Sequence, residues 1–474
     1  MSACLLWFRR DLRLSDNPAL TAALARGTPV IPVYIHDPEA ERPWTPGAAS
    51  RSWLHHSLTA LAADLAVRGS CLIVRRGPAL DTLQALIGET GANAVLWNRL
   101  YEPALVARDT RIKAALKRDG IEAGSHNAAL WCEPWQIATG SGAPFKVFTP
   151  FWRALATRLP DAPIQPAPER IPAPREWPAG LSIDELALRP QLAWDQGFYA
   201  IWQPGEAGAL ARLASFIDDG LHGYRDARDR PAEGGVSRLS PHLHFGEIGP
   251  RQVLRAVQRA RAGGEVPERD AEHFLRELGW REFAHHLLHH FPETPDAPLN
   301  PGFAAMPWRA VRDHEAELRA WQRGRTGIPI VDAGMRELWA TGWMHNRVRM
   351  IVASLLTKNL LIPWQHGARW FWDALVDADL ANNTLGWQWV AGCGADAAPY
   401  FRIFNPVLQS RKFDATGRYI RRWVPELADL SDAAIHAPWT LGADAPRGYP
   451  PPIVDLGASR QRALDAYARM RAAG

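Results

Sequence analysis

Short apolar runs alternate with amphipathic stretches along the first quarter of the chain. Four runs have the length and apolar content of buried strands: CLLWF, VIPVYIH, CLIVRR and AVLW. Between them, stretches near 17–26, 47–68, 79–90 and 103–118 repeat apolar residues at helical spacing. Strands that alternate with helices in this way predict a doubly wound parallel sheet. This part carries neither GxGxxG nor GxxxxGKS/T, the two commonest phosphate-binding motifs.

A proline-rich segment separates this pattern from a long helical one. Residues 160–176 read PDAPIQPAPERIPAPRE, which fits neither a helix nor a central strand. From about Gly205 onward, apolar periodicity and capping signals predict helices almost exclusively. We therefore predict an α/β domain over residues 1–130, a long linker over 131–204 and a larger all-helical domain over 205–474.

The composition is that of an ordinary globular protein with an excess of tryptophan. Its 474 residues include 22 Trp against 8 Tyr, which suggests stacking surfaces or electron-transfer relays as well as packing. A net charge of +4 permits a nucleic-acid partner without requiring one. The apolar run in MSACLLWFRRD is too short for a signal peptide, and no stretch predicts a transmembrane helix, so we expect a cytoplasmic protein without membrane contact. Four scattered cysteines predict neither a disulfide framework nor a zinc site: Cys4, Cys71, Cys132 and Cys393.

One motif of the helical part suggests an anion site. In GGVSRLSPHLHFGEIGPRQV, Ser240 and Gly249 each precede a proline, so each is predicted to cap a helix. Free amides at such a helix start, with the hydroxyls of Ser237 and Ser240 nearby, could bind phosphate. An ordinary capped helix without a ligand is the alternative.

The motif EHFLRELGWREFAHHLLHH places Glu277 and Arg281 four residues apart, with Trp280 one turn from Glu277. This spacing fits an ordinary ion pair beside a core tryptophan as well as a functional site. The same motif carries four histidines but no acidic third ligand at a fixed spacing. We therefore predict no metal site here and a solvated helix face instead, formed by His285, His286, His289 and His290.

In TGWMHNRVRMIVASLL, Asn346 and Met350 share one helix face, while Arg347 and Arg349 point to two others. A buried arginine needs a carboxylate. Either Asp377 or Asp379, which open a later motif, could supply it.

Six stretches in their order along the chain resemble the DNA photolyase/cryptochrome family, and the resemblance covers nearly the whole sequence. They are WFRRDLRLSDNPAL, KVFTPFWRAL, SRLSPHLHFGEI, LRELGWREF, GRTGIPIVDAGMRELWATGWMHNRVRM and DADLANNTLGWQWVAGCGADAAPYFRIFNP. The resemblance implies an α/β antenna domain joined by a long linker to an all-helical FAD-binding domain. That arrangement agrees with the one predicted from periodicity.

The resemblance also implies which residues bind FAD. Phe274 would lie against the cofactor, Glu277 would face both the cavity and the adenine end, and Asn383 would face the flavin N5. The phosphates and ribityl chain would lie in a cradle formed by Tyr224, Val236, Ser237, Arg238, Leu239 and Ser240. The remaining implied cofactor contacts are Arg281, Asn346, Arg349, Asp377, Ala378 and Asp379.

For damaged DNA, the resemblance implies a lesion cavity lined by Trp280, Trp389 and Met350. Glu277 would bond the polar edge of the lesion. The implied contacts at or near DNA phosphates are Arg228, Arg347, Arg402 and Lys412, with Asn346 and Gln409 nearby. The alternative for each arginine is a surface ion pair of little energetic value.

The implied activity is light-driven repair of cyclobutane pyrimidine dimers by a monomer, through electron transfer from photoexcited reduced FAD to a flipped-out dimer. Trp387, Trp364 and Trp308 would carry electrons from the surface to the flavin. The alternatives are a cryptochrome-type blue-light photoreceptor and a photolyase for 6-4 photoproducts. Plant cryptochromes place Asp where this chain has Asn383 and lose the indole of Trp389, and the 6-4 enzymes would have a second histidine at Asn346.

The resemblance further implies a second, antenna chromophore, either methenyltetrahydrofolate or a deazaflavin. Arg9, Asp37 and Arg51 lie near predicted strand ends or loops where such a chromophore could bind. The sequence does not choose between the two.

Overall fold

The structure is a computed structural model that describes residues 2–397 and 401–473, and within these ranges five parallel strands form one sheet. The strand order is β3-β2-β1-β4-β5. At the centre, Cys4 of β1 is in register with Val30 of β2 on one side and Ala94 of β4 on the other. The strands are β1 (Cys4–Phe8), β2 (Val30–His36), β3 (Ile73–Arg76), β4 (Ala94–Asn98) and β5 (Glu122–His126).

The predicted doubly wound sheet is confirmed, and so are its helices. They are α1 (Pro18–Ala25), α2 (Ala48–Val67), α3 (Ala79–Thr90) and α4 (Pro103–Arg118). Strand β3 begins at Ile73 rather than at Cys71. Strand β5 was not predicted, because its sequence EAGSH has no apolar run. It lies at the sheet edge, where one side of a strand has no partner and need not be apolar.

The described chain from Glu206 onward is largely helical, as predicted, whereas residues 157–205 of the predicted linker are mostly irregular. The helices are α5 (Phe148–Ala156), α6 (Glu206–Ser215), α7 (Tyr224–Ala227), α8 (Ser240–His244), α9 (Pro250–Ala262), α10 (Glu268–His290), α11 (Glu315–Gln322), α12 (Pro329–Thr341), α13 (Asn346–Ser354), α14 (Trp364–Ala374), α15 (Leu380–Ala391), α16 (Pro406–Phe413), α17 (Arg418–Trp423) and α18 (Leu456–Ala473). Short π-helical turns follow α6 and α13, at Phe216–Gly220 and Leu355–Asn359.

Helix α2 joins the sheet to the helical part. The indole nitrogen of Trp53 donates to Glu247 Oε1 at 2.9 Å, and the hydroxyl of Ser50 donates to the backbone oxygen of Leu375 at 3.2 Å. Both side chains on α2 are buried. The contact brings the carboxyl ends of β1 and β2 towards α14 and the loop before α15, next to the site described below.

Helix α15 lies at the centre of the helical part and packs against α10, α13 and α14. Among the described residues, no helix is long and apolar enough to cross a lipid bilayer. All four cysteines carry free thiols.

Candidate functional site

A cavity of about 330 Å³ opens between α8, α10, α13 and α15. This volume falls in the range of small-molecule binding sites. Most of the predicted cofactor-binding residues line it, whereas Val236 and Arg238 do not. The predicted residues in the wall are Tyr224, Ser237, Leu239, Ser240, Phe274, Glu277, Arg281, Asn346, Arg349, Asp377, Ala378, Asp379 and Asn383.

One wall of the cavity carries a buried ion pair. The Nη2 atom of Arg349 lies 2.8 Å and 3.1 Å from the two carboxylate oxygens of Asp377, and its Nε donates to the backbone oxygen of Met344 at 2.8 Å. The side chain of Asp377 is only 4% exposed. The prediction that Asp377 or Asp379 pairs with Arg349 is therefore confirmed for Asp377.

Asp379 caps the start of α15 and lies close to two histidines. Its Oδ1 accepts from the backbone N–H and the side-chain amide of Asn382, at 2.8 and 2.7 Å, and so caps the helix. Its Oδ2 lies 3.6 Å from His285 Nε2 and 3.8 Å from His244 Nδ1. Burial alone would raise the pKa of Asp379, but His285, His244 and Arg281 outweigh it and hold this pKa well below its usual range. The cavity thus has a carboxylate in its wall.

Asn383 lies one turn further along α15. Its Nδ2 donates to the backbone oxygen of Ala368 at 3.0 Å, which fixes the amide against α14. This bond uses one of the two amide N–H groups, so the carbonyl oxygen and the second N–H remain for a molecule in the cavity.

Glu277 stands in the cavity wall, 30% exposed, and forms a close ion pair with Arg228. The alternative ion pair with Arg281 is not formed, because Arg281 Nη1 donates to the backbone oxygen of Ala129 at 2.6 Å. Arg228 also lies over the ring of Tyr224, with 5.7 Å between guanidinium carbon and ring centre. Arg228, predicted to contact DNA, is therefore paired with a residue of the cavity wall that was predicted to contact both cofactor and lesion.

The tryptophans of α15 lie in two environments. Trp387 is 3% exposed and lines the cavity, and its ring centre lies 5.0 Å from that of Phe371 and 6.1 Å from that of Trp321. Trp389 is half-buried and does not line the cavity. The guanidinium carbon of Arg402 lies 5.0 Å from its ring centre.

Of the other predicted relay residues, Trp364 is 2% exposed at the start of α14, and Trp308 is half-buried. The fully buried Trp321 beside Trp387 was not predicted as part of the site. Its signal in the sequence, an indole in α11, does not differ from that of a core residue.

Comparison with known proteins shows to which family the chain belongs. Residues 4–174 match the family model for DNA photolyase, and residues 274–469 match the model for the FAD binding domain of DNA photolyase. The chain is 49% identical to a deoxyribodipyrimidine photo-lyase of Agrobacterium fabrum, over 98% of both chains. The chain belongs to the DNA photolyase/cryptochrome family. The predictions of the family and of a photolyase-type enzyme are confirmed at this level.

Further relatives cover the same length. Cryptochrome-1 of Arabidopsis thaliana is 38% identical over 98% of this chain and 70% of its own length. The crystal structure of a bacterial class III photolyase from Agrobacterium tumefaciens has a TM-score of 0.95 and 48% identity, covering 99% of this chain and 98% of that one. An archaeal photolyase from Sulfolobus tokodaii, solved with two FAD molecules, has a TM-score of 0.84 and 30% identity, covering 98% of this chain and 100% of that one.

The cavity of this family member fits FAD. His244 Nδ1, in the cavity wall, is buried, and its nearest polar partner, Asp379 Oδ2 at 3.8 Å, is too far for a normal hydrogen bond. A buried polar atom of this kind is usually satisfied, and a bound molecule with polar edges would satisfy it. The apolar rings of Phe274 and Phe371 in the same wall suit an aromatic cofactor.

One predicted DNA-binding tryptophan and one predicted DNA-binding arginine contact other side chains of the protein. Trp280 does not line the cavity, because its ring stacks on Phe148 with 3.8 Å between ring centres and 10° between planes. Arg347 pairs with Asp229 at 2.6 Å. Met350 and Asn346 line the cavity as predicted, whereas Arg402 and Lys412 are exposed and Gln409 is half-buried.

Two other predictions were wrong. The histidines of α10 do not form a solvated face, since His285 is 5% and His286 1% exposed. His286 Nε2 accepts from the backbone N–H of Phe145 at 3.0 Å, so its helix face is covered by the linker. Ser240 is the first residue of α8 rather than its cap, and Leu239 takes the cap position, although Gly249 caps α9 as predicted.

The three residues predicted to lie near an antenna chromophore all bind other residues of the protein. Arg9 is 6% exposed and pairs with Asp109 at 2.5 Å. Asp37 accepts from the backbone N–H of Ala79 at 3.0 Å, and Arg51 donates to the backbone oxygen of Pro46 at 2.8 Å. Arg9 and Asp37 line a cavity of about 60 Å³, and Arg51 does not line it.

Proposed function

We propose that the protein repairs cyclobutane pyrimidine dimers in damaged DNA under blue light. Reduced FAD, when bound and excited by light, supplies the electron that opens the cyclobutane ring and receives it back. The protein must hold the cofactor, admit the dimer beside it and keep water away from both.

One observation carries this proposal: a single cavity is lined by residues of both predicted sets. Asp377, Asp379 and Asn383 belong to the cofactor set and Met350 to the lesion set, while Glu277 was predicted to contact both cofactor and lesion, and all five share the cavity wall. A flat lesion that enters this cavity would therefore meet the cofactor without protein between them, which supports direct electron transfer.

In this proposal Arg349, Asp377, Asp379 and Asn383 hold the cofactor. The Arg349–Asp377 pair fixes one wall, and the ionised Asp379 provides an acceptor on α15. The carbonyl oxygen of Asn383 provides a neutral acceptor, and the bond from its amide nitrogen to α14 fixes the side chain. A neutral acceptor suits a protonated ring nitrogen without adding charge to the cavity.

Glu277 would bond the polar edge of the dimer and stabilise the charge that develops on it, an effect that is large where water is excluded. Its pairing with Arg228 fixes the carboxyl group while leaving Oε2 for the lesion. Trp280 and Trp389 do not line the cavity, so they would stack against the lesion or the neighbouring bases from outside it. Trp280 has one ring face covered by Phe148, so the other face would make this contact.

Extrusion of a damaged base costs less than extrusion of an intact one, because a dimer pairs and stacks poorly. The DNA backbone would be held by Arg347, Arg402 and Lys412, with Gln409 nearby. Arg402 and Lys412 are exposed, which suits contact with phosphates.

We also propose that Trp387, Trp364 and Trp308 carry electrons from the surface to the cofactor. Trp387 lies in the cavity wall and packs against α14. Trp364 lies at the buried start of that helix. The half-buried Trp308 would exchange electrons with an external donor.

A second chromophore, methenyltetrahydrofolate or a deazaflavin, completes the proposal. The related archaeal photolyase solved with two FAD molecules supports a second site in this fold. Because Arg9 and Asp37 are bound to other residues, the chromophore would be held mainly by other groups of the α/β part.

The test is illumination of the purified protein, with its flavin reduced, in the presence of an oligonucleotide that contains one thymine dimer. We expect restored thymines in the light and none in the dark. Repair of a 6-4 photoproduct instead would favour a photolyase for 6-4 photoproducts. A flavin spectrum without repair of either lesion would favour a photoreceptor. Absorption spectra before and after extraction identify the second chromophore.

A further inference from the structure

Lys358 is a buried lysine outside the cavity described above. It lies in the π-helical turn Leu355–Asn359 after α13 and is 0% exposed. Its Nζ donates to the backbone oxygen of Ala391, the last residue of α15, at 2.6 Å. Within the described ranges the amine meets a carbonyl and an aromatic ring rather than a carboxylate. Burying an amine in this way is costly, so the contacts that it makes are structurally important.

The aromatic ring belongs to Phe401. The Nζ atom of Lys358 lies 3.3 Å from the ring centre. The same ring stacks on Tyr467 of α18, with 4.3 Å between ring centres and 8° between planes. Two groups at these distances cannot share one ring face. Lys358 and Tyr467 therefore hold Phe401 between them.

Helix α18 is itself fixed to the turn that carries Lys358. The side-chain amide of Asn359 donates to the hydroxyl of Ser459 at 2.8 Å, and Arg462 donates to the backbone oxygen of Asn359 at 2.5 Å. The turn, the C-terminal helix and the Phe401 ring thus form one packed unit.

Arg402 follows Phe401 directly in the chain and points outward. It is exposed, and its guanidinium carbon lies 5.0 Å from the ring centre of Trp389. Two residues further on, the backbone N–H of Phe404 donates to the hydroxyl of Ser354 at 3.1 Å. The backbone of Arg402 therefore lies between two anchored positions, of which Phe401 is the nearer.

The charges around Lys358 agree with this arrangement. Burial lowers the pKa of Lys358 well below its ordinary value, and burial raises the pKa of the neighbouring Cys393 to about 12. The thiol therefore gives no negative charge to balance the amine. In either protonation state, the carbonyl of Ala391 and the ring of Phe401 are the groups that hold the amine in place.

We propose that Lys358 and Tyr467 are positioning residues for DNA binding, which fix Arg402 against a phosphate by holding Phe401 between them. The proposal rests on the proposed function, in which Arg402 contacts a phosphate of damaged DNA. It gives the C-terminal helix a part in DNA binding although that helix does not touch the cavity.

The test compares Lys358→Met, Arg402→Ala and the double variant with the parent, by binding of a thymine-dimer oligonucleotide at several salt concentrations. Methionine keeps the length of the side chain and removes its amine. Arg402→Ala should weaken binding roughly tenfold and lower the salt slope by about one unit. Lys358→Met should weaken binding and lower the salt slope by similar amounts. The double variant should lose little more affinity than either single variant. Tyr467→Leu should repeat the effect from the other ring face.

Lys113→Met is the matched control. Lys113 donates to Ser125 at 3.0 Å and lies 5.9 Å from the ring centre of Trp97, in the α/β part, so its loss should leave the salt slope unchanged. Additive effects of Lys358→Met and Arg402→Ala, or the parent slope in Lys358→Met, would overturn the proposal. If Lys358→Met does not fold, the parent slope in Tyr467→Leu overturns it instead. An unchanged slope in Arg402→Ala also overturns it, while dimer repair by the parent shows that the proposed function stands.

Discussion

Gly367→Ala tests the packing that places Trp387 beside the cavity. Gly367 lies in α14, and a Cβ atom built there would be 2.0 Å from Cη2 and 2.3 Å from Cζ3 of Trp387. Carbon atoms in contact are about 3.5 Å apart, so the indole would have to move by about 1.5 Å. Trp387 is 3% exposed and lines the cavity, so a displaced indole would move into the space proposed for the cofactor. The absence of a side chain at Gly367 is what allows the indole to lie on α14.

The expected change in stability is the balance of two terms. Alanine is favoured over glycine inside a helix by about 1 kcal/mol. Forcing an extra methyl group into a packed core costs about 1–3 kcal/mol. The free energy of unfolding of Gly367→Ala should therefore fall by up to about 2 kcal/mol. Gly88→Ala is the control, because Gly88 lies in α3 and its added Cβ would have no atom within 4 Å. That variant should gain about 0.4–1 kcal/mol.

Denaturant unfolding of both variants measures these changes. A second assay follows the rate at which light reduces the bound flavin in the presence of an external electron donor. If Trp387 is the first relay residue, its displacement should slow photoreduction in Gly367→Ala and leave Gly88→Ala unchanged. A Gly367→Ala protein that gains stability like Gly88→Ala would refute the packing argument. A destabilised variant with the parent's photoreduction rate would refute the place of Trp387 in the relay.

Three further predictions concern single residues. Trp364→Phe keeps a buried aromatic ring but removes the easily oxidised indole, so photoreduction should slow severalfold, while repair with chemically reduced flavin should stay normal. Trp280→Ala should weaken dimer binding by about 1–3 kcal/mol, measured by titration with damaged oligonucleotide, and leave flavin content unchanged because Trp280 does not line the cavity. Burial lowers the pKa of His286 from 6.5 to about 4. The unfolded chain takes up that proton near pH 6.5 and the folded chain only near pH 4, so the free energy of unfolding should fall by up to about 3 kcal/mol across this range. Denaturant unfolding at pH 7 and pH 5 checks this, and His286→Gln should flatten the dependence.

The sequence was a good guide wherever a pattern repeats locally. The strands β1 and β2 begin and end where their apolar runs do, and Pro103 marks the start of α4 as a first-turn proline should. The cost of burying a charge predicted that an arginine of α13 needs a carboxylate partner, and the structure pairs Arg349 with Asp377. The domain boundaries at 130 and 204, the monomeric state and the cytoplasmic location stay predictions.

The failures come from contacts between distant parts of the chain. The polar sequence of α10 gives no sign that the linker covers His286, since the covering residue, Phe145, is 141 positions away. Likewise, the spacing of Glu277 and Arg281 suits an ion pair on one helix. Arg228 of a separate segment takes Glu277 instead. Local periodicity contains no information about such partners.

The paired indoles of α15 show how one helix serves both the cavity and the outer surface. Residues four apart lie on the same helix face, and residues two apart lie about 200° apart around the axis. Asn383 and Trp387 therefore both line the cavity, whereas Trp389 turns away from it and meets Arg402. The end of the same helix carries the carbonyl of Ala391, which binds Lys358. A single inserted residue between Asn383 and Trp387 would rotate the rest of the helix by about 100° and separate both indoles from their partners. The register of α15 thus couples the proposed electron route to the surface that is proposed to bind DNA.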